Sequence, residues 1–154
     1  MVERVRKSRS LFPINSNVIL LLDDEFDLVT SLKQLLERKG FHVFGFTDAL
    51  LALEHFQINH DKYGLVISDL RMPGMNGYEF IKKVKEIKSE VKVIFLTAFE
   101  IDDIEFRRVL PSVKIDEYVQ KPCSAKSLIA AIVRHMDIGI EAKRDFSNAD
   151  LKLD

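Results

Sequence analysis

The chain has 154 residues, 47% hydrophobic and 31% charged, with a formal net charge of -1. That suits one folded domain with short tails and is too short for two full domains and a linker. Near-neutral charge gives no overall attraction to nucleic acid or anionic lipid, so direct nucleic-acid binding is not expected. The single cysteine, Cys123, excludes an internal disulfide and fits a cytoplasmic setting, and no apolar run approaches the roughly 20 residues of a membrane span.

Residues 1–16 form a polar lead-in with Arg4, Arg6, Lys7 and Arg9. No long apolar segment follows before Pro13, so the stretch does not read as a secretory signal. The run VILLL, followed by DDE, predicts a strand buried on both faces. Leu28, Leu32, Leu35 and Leu36 then follow helical spacing up to the basic turn and glycine stop at Arg38, Lys39 and Gly40. HVFGF predicts a second strand, and Ala49, Leu53 and Phe56 a helix from about Asp48 to Asn59.

The third strand, LVIS, ends at Asp69, and the turn MPGMNG leads into a helix with Phe80, Val84 and Ile87 inward. VKVIFL predicts a fourth strand, followed by a charged helix from about Glu100 to Leu110 that Pro111 terminates. EYVQ predicts a short fifth strand, and Ser124 caps a last helix carrying Leu128, Ile132 and Met136. Five strands alternating with five helices predict a doubly wound α/β domain, a parallel sheet with helices on both faces, over residues 17–138. Residues 139–154 are expected to be a tail with no output domain.

In such a sheet ligands bind beyond the carboxyl ends of the strands. Asp23 and Asp24 follow the first strand, Asp69 ends the third, Thr97 and Ala98 the fourth, and Lys121 and Pro122 the fifth. Crowded carboxylates repel unless a cation sits among them. Mg2+ suits them best, because it takes oxygen ligands at roughly 2.1 Å, whereas zinc would want histidine or cysteine. A carboxylate beside Mg2+ can attack phosphorus and form an acyl phosphate. The metal, the Lys121 ammonium and the Thr97 hydroxyl with a backbone N–H would then share the three phosphoryl oxygens. Ala98 leaves room for the incoming group, and Pro122 is a candidate for a cis peptide that would aim Lys121.

Together LLLDDE, VISDLRMPGMNG, VIFLTA and EYVQKP resemble the receiver domain of two-component response regulators, over about Asn17 to Met136. The resemblance implies a flavodoxin-like receiver fold and a phosphoacceptor switch at Asp69. It implies Mg2+ on Asp24, Asp69 and the Arg71 backbone carbonyl, with Asp23 acting through water. The donor would be a sensor histidine kinase or phosphotransfer protein. Thr97 and Tyr118 match the switch pair that repacks the face of the fourth helix, fifth strand and fifth helix toward an unknown downstream protein. Arg71, two residues after the acceptor, and Phe99, two after the threonine, would tune hydrolysis. The domain would assist its own phosphorylation and dephosphorylation without being an enzyme on other substrates.

The segment LPSVKIDEY departs from the family, which carries small residues before the fifth strand, and Asn76 replaces a common aspartate. Three other functions compete. An aspartyl-phosphate phosphatase would carry a second aspartate where Arg71 stands. A nucleotide or flavin binder would show a glycine-rich loop after the first strand, and none is there. A receiver-like scaffold that is never phosphorylated would not need all five of Asp23, Asp24, Asp69, Thr97 and Lys121. His42, His55, His60 and His135 lack metal-ligand spacing, and no role is assigned to them.

Overall fold

The computed structural model describes residues 18–98 and 113–136. Its five strands are β1 (Val18–Leu22), β2 (His42–Phe46), β3 (Leu65–Asp69), β4 (Lys92–Thr97) and β5 (Glu117–Gln120). They form one parallel sheet in the order β2-β1-β3-β4-β5. This flavodoxin-like order comes from crossovers that run first to one side of β1 and then to the other. Four helices are described: α1 (Phe26–Arg38), α2 (Ala49–Asn59), α3 (Gly77–Ile87) and α4 (Ala125–His135). The helix expected near Glu100–Leu110, together with Phe99, lies outside the described residues, as do both tails; α4 is the last of the five expected helices.

The sheet is covered on both sides. Ile19, Leu21, Ile67 and Ile94 pack with α1 and α4, through Val29, Leu36, Leu128 and Ile132. Leu20, Leu22, Val66 and Phe95 pack with α2 and α3, through Leu53, Phe56, Phe80 and Val84. Residues 19–22 of β1 are fully buried, and each such side chain stabilises the fold by about 1.5 to 3 kcal/mol relative to exposure. In α1 the deepest positions are Val29 and Leu36, whereas Leu28, Leu32 and Leu35 are half-buried. Val29 reaches so close to β2 that a Cβ at Gly45 would lie 2.6 Å from its Cγ1.

The helix ends follow their cap chemistry. Gly40 closes α1 in the left-handed region, with φ 98. Asp48 accepts from the Leu50 N–H (2.8 Å) at the start of α2, and Ser124 from the Ser127 N–H (3.0 Å) at the start of α4. Asn76 accepts from the Glu79 N–H (2.9 Å) and donates to the Glu79 carboxylate (3.0 Å), so two side chains fix where α3 begins. The atypical approach to β5 is absorbed by packing. Val113 and Ile115 lie against the second core cluster, and the Asp116 carboxylate accepts from the Val93 N–H (2.8 Å).

Candidate phosphoacceptor site

Asp23, Asp24 and Asp69 come together at the carboxyl ends of β1 and β3, with carboxylate oxygens of all three within 4.8 Å of one another. Asp23 is fully buried and Asp24 exposed, while Asp69 is 8% exposed. Local hydrogen bonds set each orientation. The Asp23 N–H donates to the Phe46 carbonyl (3.1 Å), extending the β1 ladder by one residue. Its Oδ1 accepts from the Glu25 N–H (2.9 Å), a side-chain turn that starts the path into α1. Asp69 Oδ1 accepts from the Leu70 N–H (2.8 Å).

Lys121, at the end of β5, reaches over this cluster. Its Nζ lies 2.6 Å from Asp23 Oδ2, and 3.7 Å from both Asp69 Oδ2 and Glu25 Oε1. The Lys121 N–H donates to the Thr97 carbonyl (2.7 Å), which ties the end of β5 to the end of β4. The Lys121–Pro122 peptide bond is cis. Thr97 is fully buried, Ala98 is exposed at the mouth, and Arg71 is exposed two residues beyond Asp69.

The electrostatics follow from burial of like charges. Desolvation pushes the Asp69 carboxyl up to about 6; Asp23 and Asp24 add to the rise, and Lys121 and the Leu70 N–H oppose it. Burial also raises Asp23, against its hydrogen bonds from Lys121 and Glu25. Burial by itself would lower the Lys121 ammonium, but its hydrogen bond to Asp23 and the charges of Asp23, Asp69 and Glu25 outweigh this, and its pKa is raised. The cluster therefore carries more negative charge than one lysine balances. Three oxygen-only side chains of this kind fit a hard divalent cation such as Mg2+.

Two features escaped the sequence reading. Glu25 joins the Lys121 ion pairs, although a third acid after a DD pair looks like ordinary helix-start charge. Gly77 opens α3 directly against Asp69: a Cβ there would collide with the Asp69 carbonyl oxygen and lie 2.8 Å from Leu70 Cα. Its N–H donates to the Leu70 carbonyl (2.7 Å). The glycine in MNG was legible as a turn residue but not as a close approach.

Tyr118, half-buried on β5, stacks on Phe95 of β4 with ring centroids 5.8 Å apart. Tyr78, in the first turn of α3, meets Phe95 edge-on at 5.3 Å. Burial, and then the Tyr118 hydroxyl beside it, push the Tyr78 phenol upward. An aromatic row thus connects α3, which starts at the end of the loop after Asp69, to β5. Cys123 packs half-buried against the core, and burial raises its thiol pKa, consistent with an inert side chain.

Residues 19–133 match the family described as the response regulator receiver domain. Among curated relatives, the chain is 34% identical over 134 residues to the transcriptional regulatory protein CpxR homolog of Haemophilus influenzae, covering 86% of this chain and 56% of that one. It is 26% identical over 121 residues to sporulation initiation phosphotransferase F of Bacillus subtilis, covering 78% of this chain and 94% of that one. The chain thus spans about half the length of the first of these and nearly all of the second. Among solved structures, a response regulator receiver domain protein from Clostridium thermocellum superposes with a TM-score of 0.68 at 27% identity, covering 86% of this chain and 98% of that one. Among the described residues no helix is long and apolar enough to cross a membrane.

Proposed function

Since the chain belongs to the response regulator receiver domain family, we propose that it is the phosphoacceptor switch of a two-component relay, with Asp69 as the residue phosphorylated. The donor is a phosphohistidine on a sensor kinase or phosphotransfer protein. An Asp69 carboxylate oxygen attacks phosphorus as the P–N bond breaks, the imidazole leaves, and an acyl phosphate remains. Asp23, Asp24, Asp69 and the Arg71 carbonyl are the residues that would hold Mg2+. When bound, the ion supplies positive charge against the crowded carboxylates and the transferred group.

The chain's own residues do the rest. The Leu70 N–H holds one Asp69 oxygen, leaving the other on the Lys121 side of the cleft. Lys121, held by Asp23 before transfer, turns toward the phosphoryl oxygens as they arrive. The Thr97 hydroxyl donates to another oxygen, and Ala98 keeps the entrance open. Movement of Thr97 toward the phosphoryl group frees space into which Tyr118 turns, which alters the face beside β5 and α4 that a downstream protein reads. Arg71, two residues after the acceptor, and Phe99, two after the threonine in sequence, set how fast water reaches the acyl phosphate.

The observation that carries this reading is Lys121 bridging the buried Asp23 and Asp69 within the acidic cluster. Intact-mass analysis after incubation with acetyl phosphate and Mg2+ tests it. The wild type should gain one phosphoryl group in a Mg2+-dependent manner, and Asp69→Asn should not. No adduct in the wild type, or an undiminished one in the variant, overturns the assignment.

A further inference from the structure

The α2 helix carries two apolar stripes where one would cover the sheet. Ala49, Ala52, Leu53 and Phe56, at the spacing i, i+3, i+4, i+7, are buried. Two positions on, Leu51, His55 and Ile58 repeat the period on the outward side, with Leu51 56% and Ile58 82% exposed. Beside them Phe44, on the edge strand β2, is 42% exposed, and its ring lies 5.0 Å from that of His55. His55 is pinned: Nε2 bonds the Tyr63 hydroxyl, and Nδ1 lies 3.3 Å from the Asn59 amide. Both ring nitrogens are engaged within the protein, so the imidazole fills the notch between helix and strand. Scattered surface leucines carry no message, but a stripe two turns long that continues onto a sheet edge marks an interaction surface.

We propose that this face of α2 docks on α2 of a second copy of the chain, antiparallel and related by a two-fold axis near positions 54 and 55. The helix is self-complementary in that arrangement, because Leu51 of each copy then meets Ile58 of the other. The flanks of the stripe also decide the direction. His55 and Phe44 lie on one flank and Glu54 on the other. An antiparallel two-fold brings the two His55–Phe44 flanks together and leaves both Glu54 side chains at the solvent rim. A parallel pair would set each apolar flank against the other copy's Glu54.

The ends agree with this direction. Exposed Asp48 at the start of one helix comes beside exposed Lys62, just past the end of the other, and this happens twice. Antiparallel helix dipoles add to the preference. The apolar surface offered is on the order of a few hundred Å2 per copy, under the roughly 800 Å2 per partner of a standard interface. The dimer is therefore weak and concentration-dependent.

Sedimentation of the full chain from about 10 μM to about 1 mM, a span matched to such weak association, should show a mass rising from monomer toward dimer. Ile58→Glu should shift the midpoint at least about tenfold, by placing a charge opposite Leu51, while keeping its circular dichroism and its Mg2+-dependent phosphoryl adduct. In a Cys123→Ser background, Glu54→Cys should give a covalent dimer with a short bis-maleimide, and Lys82→Cys, on the exposed side of α3, should not. A wild type that stays monomeric throughout overturns the proposal and leaves the stripe to a different protein. A dimer that Ile58→Glu leaves intact overturns it as well.

Discussion

Lys121 Nζ is 2.6 Å from Asp23 Oδ2, closer than to Asp69 Oδ2 at 3.7 Å. The ammonium that we propose meets the incoming phosphoryl group is thus held by a fully buried carboxylate. In the proposed switch the same side chain both holds Asp23 and meets the phosphoryl group, which would link the stability of the domain to its chemistry.

Lys121→Met should therefore act twice. Formation of the Asp69 adduct from acetyl phosphate should slow at least about tenfold, through loss of one charge-stabilising donor. Stability should fall by about 1 to 3 kcal/mol, because buried Asp23 loses its partner. Denaturation with and without Mg2+ separates the two, since a divalent cation should restore much of the stability and little of the rate.

Asp69 titrates near 6, above the ordinary carboxylate value of 3.8. A carboxyl raised on folding contributes stability that is full below the unfolded value and lost as pH rises through the folded one. In EDTA, stability should accordingly drop between about pH 4 and pH 7, by on the order of 1 to 3 kcal/mol from this group. Asp69→Asn removes the titration, so urea unfolding should find the variant more stable than wild type at pH 7 and the advantage gone near pH 4.

The rate of phosphoryl transfer should follow the same group in the opposite sense. Attack needs the carboxylate, so adduct formation at low Mg2+ should decline as pH falls through about 6. Saturating Mg2+ should move that midpoint lower, because bound cation favours the ionised form. A midpoint that ignores Mg2+ in mass-spectrometric rate measurements would separate the titration from the acidic cluster.

Mg2+ should raise the melting temperature of the wild type by a few degrees at millimolar concentration, through binding to the folded state alone. Asp24→Asn should lose most of that rise at little cost in the absence of metal, because Asp24 is exposed and its charge only adds to the repulsion on Asp69. Thermal melts with Mg2+ titrated into EDTA-treated protein provide the comparison.

Gly77→Ala tests the floor of the site. The added methyl group meets backbone rather than a flexible side chain, so α3 or the acceptor loop must move. A stability loss of about 1 to 3 kcal/mol is expected, with slower Asp69 phosphorylation at conditions where the variant is still folded. Equal rates in folded wild type and variant would show that the loop tolerates the shift.

Local pattern was enough for the order of the described strands and helices. The apolar blocks VILLL, LVIS and VKVIFL have the length and branching of strands buried on both faces, and each is followed by a stop. Asp48, Asn76 and Ser124 cap the helices that periodicity places after them. Because a parallel sheet sends every strand's carboxyl end to one edge, Asp23, Asp24, Asp69, Thr97 and Lys121 could be grouped from their positions after strands. Periodicity also misplaced the emphasis in two helices: Val29 is buried more deeply than Leu28, Leu32 and Leu35 of α1, and the second stripe of α2 was not singled out.

What the sequence by itself determined is the parallel fold and the set of side chains at its carboxyl edge, since both follow from periodicity and from strand polarity. Tertiary structure alone decided how those side chains share charge. Lys121 rests on Asp23, Gly77 passes under Asp69, and Leu51 and Ile58 stand in solvent, because each depends on how separate elements pack and not on the local pattern of any one of them. Residue order specifies which groups arrive at an edge, and only packing fixes their separation to the ångström on which Coulomb energy and steric fit depend.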